Sequence, residues 1–257
     1  MIDIHCHILP DVDDGSGSLE DSILMAEMAA RSGVDTIVVT PHSNQRGRFE
    51  NYESEELRRR FQELQSEIEH EQIPVRLLRG TEIFSSPDLT ELIRSGEVIS
   101  LNGSCYYLVE FAFDEEPWEI QETLQEILAI GKVPVIAHPE RYYCIQEQPN
   151  YLYEWRMLGA LAQMNKGSIF GRFGKRTARA ADRMLRCCHV TCIASDAHSP
   201  FMRTTDMEEI DEFLMDHFPM EYRDLLLEKN PERIITNRRI TDGPPPMPVE
   251  EMRRRYW

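Results

Sequence analysis

Short runs of β-branched and other apolar residues alternate with amphipathic stretches along nearly the whole chain, and this alternation constrains the fold most strongly. The runs that predict strands are residues 2–7, 35–41, 75–81, 105–111, 133–138, 159–165 and 190–196. Between them, apolar residues recur every three or four positions, as on a helix with one buried face. Near-continuous apolar strands separated by helices indicate a parallel sheet covered by helices. Seven such units without a Gly-x-Gly-x-x-Gly turn favour a closed, distorted (β/α)7 TIM-like barrel over a dinucleotide-binding sheet.

The alternation continues without an internal repeat or a low-complexity linker, which predicts a single domain. Only the end of the chain differs, because Gly243 and the four prolines within 244–248 favour an extended segment there. We therefore expect an α/β barrel over residues 1–242 and a proline-rich tail over residues 243–257.

Charge and hydropathy argue against several classes of partner. The chain holds 28 Lys and Arg against 45 Asp and Glu, a formal net charge of −17, so we expect neither nucleic acid nor an anionic membrane as its partner. No apolar run reaches the roughly 18 residues of a membrane span, and the first residues lack the charged leader and apolar core of a secretory signal. We expect a cytoplasmic protein without membrane insertion.

The six cysteines indicate buried thiols. No Cys-x-x-Cys pair occurs and no export signal is present, so a disulfide framework is not expected. No cysteine is followed six positions later by arginine. The nucleophilic loop of the cysteine-dependent phosphatases is therefore absent.

Polar residues stand where the predicted strands end. His5 and His7 are two apart on the first strand, so their side chains lie on the same face. The later strands end in His42, Glu82, Glu110, His138, Asp196 and His198. Solvated loop residues would be scattered along the chain, whereas five of the eight histidines stand at strand ends. Because the carboxyl ends of barrel strands converge at one mouth, and imidazole with carboxylate suits Mn, Fe or Zn, the pattern predicts a metal site.

The segment Asp-Val-Asp-Asp-Gly at 11–15 has two interpretations. Asp and Gly favour turns, so the segment can be a plain connection after the first strand. The same place would also bring a carboxylate to the barrel mouth, where it could bind metal. Spacing alone does not decide between the two.

The motifs at the strand ends resemble those of the polymerase and histidinol phosphatase (PHP) superfamily. They are HCHILPDVDDG at 5–15, TPH at 40–42, TEI at 81–83, HPER at 138–141 and SDAH at 195–198. The opening motif is similar to that of the CpsB/CapC-type manganese-dependent protein-tyrosine phosphatases of Gram-positive capsule and exopolysaccharide loci. The resemblance covers residues 1–240, in order and at matching spacing.

The resemblance implies a PHP fold that holds three divalent metal ions, with Mn expected and Fe or Zn compatible with the same donors. The implied ligands of the first metal are His5, His7, Glu82 and Asp196. Those of the second are Glu82, Glu110 and His138, and those of the third are Asp14, His42 and His198. Arg141 and Arg203 match the family's two phosphate-binding arginines. Ser43 departs from the family pattern, because many relatives have a basic residue after the histidine of the TPH motif.

The activity implied by the resemblance is metal-dependent hydrolysis of phosphotyrosine on protein, with the tail of a membrane-associated bacterial tyrosine kinase as the expected partner. Three divalent ions outweigh the four carboxylates of the site, so an acidic protein can still present a cationic pocket to phosphate. The loop 43–52, which holds Arg46, Arg48, Phe49 and Tyr52, is then either a solvated connection or a mobile lip that contacts the phosphotyrosine ring and an acidic flank.

Three other functions stay open at this point. A small-molecule phosphatase such as histidinol phosphatase would have nearly the same metal site. A metal-dependent amidohydrolase also opens with His-x-His, but it has eight strands and commonly a bridging lysine. A non-catalytic, metal-binding regulator of a kinase would have no reason to keep so many costly polar groups at one mouth.

Overall fold

The computed structural model describes residues 1–254, and within them nine strands form the wall of a barrel. They are β1 (Ile2–Cys6), β2 (Thr36–Val39), β3 (His42–Ser43), β4 (Arg76–Arg79), β5 (Glu82–Phe84), β6 (Tyr106–Glu110), β7 (Val133–Ala137), β8 (Leu161–Asn165) and β9 (Cys192–Ala194). Each of the seven predicted runs contains a strand, and every strand pair in the two sheets is parallel. The expected α/β barrel is confirmed.

The second and third runs, 35–41 and 75–81, each contain one strand and are each followed directly by a second short strand that the sequence pattern did not predict. Pro41 separates β2 from β3 and has no N–H to donate to the ladder. Gly80 lies between β4 and β5, where a Cβ atom would come within 2.9 Å of Val38 Cγ1. The breaks divide the wall into a three-stranded and a six-stranded sheet. β3 begins at His42 and β5 begins at Glu82, and these two residues are register partners.

The barrel closes along a seam between its first and last strands. Cys6 forms a parallel bridge with Ala197, and the Ala197 carbonyl accepts a hydrogen bond from the His7 amide at 2.9 Å. Below it, one oxygen of the buried Asp3 carboxylate accepts hydrogen bonds from the amides of His5 and Ser195, at 3.2 and 3.0 Å. Asp3 therefore joins residues that are 190 positions apart.

Helices cover the outside of the barrel. They are α1 (Leu19–Arg31), α2 (Glu55–His70), α3 (Leu89–Ser95), α4 (Pro117–Ala129), α5 (Tyr143–Glu147), α6 (Asn150–Leu158), α7 (Lys175–Arg186), α8 (Glu208–His217), α9 (Met220–Asp224) and α10 (Asn230–Ile235), with a π-helical turn at Leu225–Lys229 and 3₁₀ turns at Leu101–Gly103, Pro139–Arg141 and Val249–Arg254. The face that α2 buries consists of Leu57, Phe61, Leu64 and Ile68, as their spacing predicts. Within residues 1–254, we find no helix both long and apolar enough to span a membrane.

Apolar side chains fill the barrel interior away from the mouth. Ile4, Val38, Leu108 and Val135 point inward from the strands and form one buried cluster, which also includes Ile234 of α10. Burying side chains of this size stabilises the fold by about 1.5–3 kcal/mol each. Because this end is packed with hydrocarbon, the polar side chains of the strands are confined to the opposite, carboxyl end.

The described part of the predicted tail lies against the barrel. The Met247 amide donates to the Cys187 carbonyl at 3.0 Å, and the Met247 carbonyl contacts His189 Nε2 at 2.7 Å. Asn150 of α6 bonds to both the Val249 amide and the Glu250 carboxylate. Residues 255–257 of the predicted tail lie outside the described residues.

Candidate metal centre

The nine side chains proposed as metal ligands from the sequence lie together at the carboxyl end of the barrel. They surround or underlie a cavity of about 530 Å³. In each of three groups of residues, one potential ligand atom per residue lies within 4.8 Å of the others. These groups are His7, Asp14, His42 and His198; His5, His7 and Asp196; and His42, Glu82 and Glu110.

The deepest donors are His5 and His7 of the first strand. Their Nε2 atoms are 3.1 Å apart, and Glu82 Oε2 lies 3.2 Å from each of them. Asp196 Oδ1 lies 3.5 Å from the same two nitrogens. All four side chains are buried, so four donor atoms face a common point from which water is excluded.

The hydrogen bonds behind these imidazoles fix which nitrogen faces the common point. His5 Nδ1 lies 2.8 Å from Gln163 Oε1 and His7 Nδ1 lies 2.8 Å from Asp13 Oδ2. Both partners are acceptors, so each Nδ1 carries a proton, and in the neutral ring Nε2 carries a lone pair. The lone pairs therefore face each other and two carboxylates.

This arrangement fits a bound cation. The buried atoms Glu82 Oε2 and Asp196 Oδ1 form no hydrogen bond within the described residues. Burial disfavours a charged imidazole at His5, yet the charges of Glu82 and Asp196 outweigh it and raise the pKa of His5 to about 9. The site thus attracts positive charge, and the mixed nitrogen and oxygen donors suit a divalent transition metal.

A second set of donors surrounds Glu82 on its other side. His138 Nε2 lies 3.0 Å from Glu82 Oε1 and 3.5 Å from Glu110 Oε1. Burial lowers the pKa of His138 to about 4, so its ring is neutral. Burial and the neighbouring Glu82 raise the pKa of Glu110 to about 7. A divalent ion between these groups would favour the ionised form of Glu110.

The third set lies nearest to solvent. Asp14 Oδ1 is 3.4 Å from His42 Nε2 and 3.6 Å from His198 Nε2. The other ring nitrogen of His42 lies 2.9 Å from Glu82 Oε2, so His42 stands between two groups of donors. His7 likewise belongs to two groups. The allotment of each ligand to one metal, as the resemblance implies, therefore stays a prediction.

Three residues that support the donors were not identified from the sequence. Asp13 accepts hydrogen bonds from the amides of His42 and Gly15 as well as from His7. Gln163 contacts His5 and also accepts from the His138 amide at 3.3 Å. Asn165 donates to Asp196 Oδ2 at 2.5 Å. The sequence did contain a sign of Gln163 and Asn165, because residues two apart on a strand lie on the same face and the rest of this strand is apolar.

These contacts also explain the Asp-Val-Asp-Asp-Gly segment. Asp13 orients His7 from behind, whereas Asp14 faces the cavity. A Cβ atom at Gly15 would lie 2.3 Å from the His7 carbonyl oxygen, so only glycine fits there. The segment is both a turn and part of the site.

Arg141 and Arg203 converge on one point of the cavity wall. Arg141 lies 3.8 Å from Asp196 Oδ2, and Arg203 is ion-paired with the same oxygen. The Arg141 guanidinium lies between two phenyl rings, 4.4 Å from the centre of Phe113 and 4.8 Å from that of Phe173. Stacking of this kind restricts the side chain and leaves its N–H edge free to bind an anion.

Left-handed backbone conformations occur at three residues of the site. The φ angles of His138, Asp196 and Arg203 are 33°, 49° and 52°. Such conformations are unfavourable for non-glycine residues by about 1–3 kcal/mol each, and they cluster at functional sites. They hold side chains in directions that a regular strand would not allow.

The loop 43–52 lies beside the mouth, and its two arginines are already ion-paired. Phe49 stacks on His42 at 5.7 Å between ring centres. Arg48 donates to Asp14 at 3.2 Å, and Arg46 is ion-paired with Asp88. Both arginines line the cavity, but each guanidinium group is already ion-paired with an acidic side chain of the protein.

Comparison with known proteins gives a consistent result. The family described as "Capsular polysaccharide synthesis, CpsB/CapC" matches residues 1–236. Tyrosine-protein phosphatase YwqE of Bacillus subtilis is 38% identical over 245 residues, covering 95% of this chain and 95% of its own length. Putative tyrosine-protein phosphatase CapC of Staphylococcus aureus is 32% identical, covering 100% of this chain and 98% of its own length.

Solved structures agree with these matches. One comes from a crystallographic study of YwqE from Bacillus subtilis and CpsB from Streptococcus pneumoniae, described as unique metal-dependent tyrosine phosphatases. It has a TM-score of 0.89 and 36% sequence identity, covering 96% of this chain and 99% of that one.

Proposed function

This chain belongs to the CpsB/CapC family, and we propose that it is a metal-dependent protein-tyrosine phosphatase. The observation that carries the proposal is the convergence of the Nε2 atoms of His5 and His7 on each other and on two buried carboxylates. Without a cation, such a group of donors would be strongly unfavourable in a buried site. Two arginines beside it supply the anion-binding groups that phosphate requires.

We propose three divalent ions, with Mn the expected metal and Fe or Zn as alternatives. Their proposed ligands are His5, His7, Glu82 and Asp196 for the first; Glu82, Glu110 and His138 for the second; and Asp14, His42 and His198 for the third. When bound, divalent ions would supply Lewis acidity toward the phosphoryl oxygens and toward the attacking water. Asp13 and Gln163 would keep the imidazoles of His7 and His5 in the ligating tautomer.

The protein's own contribution to the reaction is to hold and orient the phosphoryl group. Arg141 and Arg203 approach the same carboxylate oxygen, so both guanidinium groups can reach one phosphate. Their N–H groups would bind the equatorial oxygens and stabilise the charge that develops on them. A tyrosine leaving group has a pKa near 10, far below that of an alkyl alcohol, so we assign no general acid.

The physiological substrate that we propose is phosphotyrosine in the tail of a membrane-associated bacterial tyrosine kinase that acts in capsule or exopolysaccharide synthesis. The family description, capsular polysaccharide synthesis, supports this choice. A mouth that is open at the barrel surface also suits a side chain presented by a protein.

The test compares phosphotyrosine peptides, histidinol phosphate and p-nitrophenyl phosphate after chelation and again after addition of Mn²⁺. We expect chelation to abolish hydrolysis and Mn²⁺ to restore it, with preference for the peptides. Preference for histidinol phosphate would favour the small-molecule phosphatase instead, and inactivity with every metal would favour a regulator.

A pair of variants links the activity to the donors. Glu82→Gln should lose bound metal and activity together, because Glu82 lies within 3.2 Å of ring nitrogens of four histidines. Glu63→Gln, on the exposed face of α2, is the matched control and should change neither.

A further inference from the structure

A second cavity of about 450 Å³ adjoins the metal cavity. We call it the flank groove and define it by Phe113, Arg141, Tyr143, Phe173, Lys175 and Arg176. Phe113 and Arg141 line both this groove and the metal cavity, so the two are continuous. A chain that places a phosphotyrosine in the metal cavity therefore has a direct route into the groove.

The flank groove is cationic in a protein of net charge −17. Arg141, Lys175 and Arg176 line it, and the described lining includes no acidic side chain. Arg176 pairs with Glu147 at 3.3 Å, but both side chains are about two-thirds exposed, and such pairs contribute little. Lys175 is exposed and has no acidic partner among the described residues. Lys175 thus offers the groove a positive charge that no acidic side chain of the described residues neutralises, and the exposed Arg176 is only weakly paired.

The mouth arginines differ in this respect. Arg46 is ion-paired with Asp88, and Arg48 with Asp14. An incoming anion would have to compete with these carboxylates. The charge available to an acidic flank is therefore on the α7 side of the mouth, not on the loop 43–52 side.

The groove also has the aromatic walls that peptide recognition uses. Phe173 packs against Arg141 and lies 5.7 Å from the Arg203 guanidinium. Tyr143 is 54% exposed, so its ring offers an apolar surface with a hydroxyl at its edge. An extended peptide advances about 3.3 Å per residue, so a side chain about one to three positions from the phosphotyrosine would enter the groove.

We propose that the flank groove binds an anionic side chain near the phosphotyrosine in the same substrate chain, either a carboxylate or a second phosphoryl group. This inference rests on the proposed phosphatase activity and adds a determinant of substrate choice to it. Lys175 and Arg176 are the residues that would form ion pairs with the flanking anionic group. The enzyme would then prefer acidic phosphotyrosine sequences even though the protein as a whole repels anions.

The test uses three phosphotyrosine peptides that differ at positions one to three residues from the phosphotyrosine. These positions hold glutamate in the first peptide, phosphoserine in the second and glutamine in the third. The three peptides therefore present a carboxylate, a phosphoryl group and an uncharged amide. The kcat/KM ratio of each anionic peptide to the glutamine peptide is measured for the Mn²⁺-loaded enzyme. Lys175→Glu is the test variant, and Lys132→Glu, at the opposite end of the barrel where β7 begins, is the matched control.

We expect the wild-type ratio to exceed one and to fall by about tenfold in Lys175→Glu, mainly through KM, while Lys132→Glu keeps it. Equal kcat/KM for all three peptides in the wild-type enzyme, or a ratio unchanged by Lys175→Glu, would overturn the groove alone. Inactivity of the wild-type enzyme on every peptide would overturn the phosphatase proposal as well. Co-sedimentation with phosphatidylserine vesicles is measured for the same proteins. If Lys175→Glu keeps the wild-type kcat/KM ratio but no longer co-sediments with the vesicles, the groove proposal is overturned in favour of a membrane-binding surface.

Discussion

Gln163 provides a direct test of how the proposed metal donors are held. Its side chain makes three buried hydrogen bonds, to the His5 ring, the His138 amide and the Asn165 side chain. Gln163→Met keeps the length of the side chain but removes all three. At about 1 kcal/mol each, the apo protein should lose about 3 kcal/mol of unfolding free energy. The His5 ring also loses the acceptor that fixes its tautomer.

The consequence for metal binding can be estimated separately. Removing such a supporting partner typically weakens metal affinity by about 10- to 100-fold, or about 1.4–2.7 kcal/mol. We therefore expect a higher Mn²⁺ dissociation constant by calorimetry, and near-normal turnover once metal is saturating. Urea unfolding of the apo protein measures the stability loss independently.

The matched control is Gln146→Met. Gln146 also makes three hydrogen bonds, to the carbonyls of Glu140 and Arg141 and to Thr177, but none to a proposed ligand side chain. It should lose comparable stability and keep its Mn²⁺ affinity. If Gln163→Met were folded and bound Mn²⁺ within about threefold of wild type, the tautomer argument would be refuted.

Four further expectations follow from other parts of the structure. Arg203→Ala should lower turnover much more than metal content, and an equal loss of bound metal, measured by elemental analysis, would contradict its phosphate-binding role. Gly15→Ala should cost about 1–3 kcal/mol in urea unfolding because its Cβ would overlap the backbone beside it, whereas Gly17→Ala, with its nearest atom at 3.8 Å, should be tolerated. Because Arg48 is already paired with Asp14, Arg48→Ala should leave the preference for phosphopeptides over p-nitrophenyl phosphate largely unchanged; a KM raised for the peptides alone would instead indicate a peptide-contacting lip. Burial lowers the pKa of His189 to about 4, so as the pH drops from about 6.5 toward 4 the unfolded chain binds a proton that the folded chain does not. The free energy of unfolding therefore falls over this range. His189→Phe should reduce the fall between pH 7 and pH 5 by about 2 kcal/mol.

The barrel and the donors at its mouth could be predicted from the sequence because both follow from topology. Parallel strands joined by helices bring their carboxyl ends to one side, so polar residues at those ends must meet. His5 and His138 are far apart in the chain, yet each lies within 3.2 Å of the Glu82 carboxylate. The fold requires this proximity, and no knowledge of individual contacts is needed to expect it.

The supporting residues could not be predicted with the same rule. Gln163 and Asn165 are uncharged and lie within a strand that appears apolar, so the ligand chemistry does not point to them. The partners of Arg46 and Arg48 depend on how a loop folds back, which local periodicity does not encode. The break at Pro41 is visible in the sequence, but its effect on the division of the sheet depends on the neighbouring strand.

The seam between β1 and β9 has a consequence for when the donors around His5 and His7 come together. His5 and His7 leave the ribosome well before Asp196 and His198, which emerge after most of the barrel has been made. Until Ser195 reaches the Asp3 carboxylate, the first strand has no neighbour on that side and its donors are incomplete. We therefore expect the donor set around His5 and His7 to be complete only after the last strand has been made and has paired with the first.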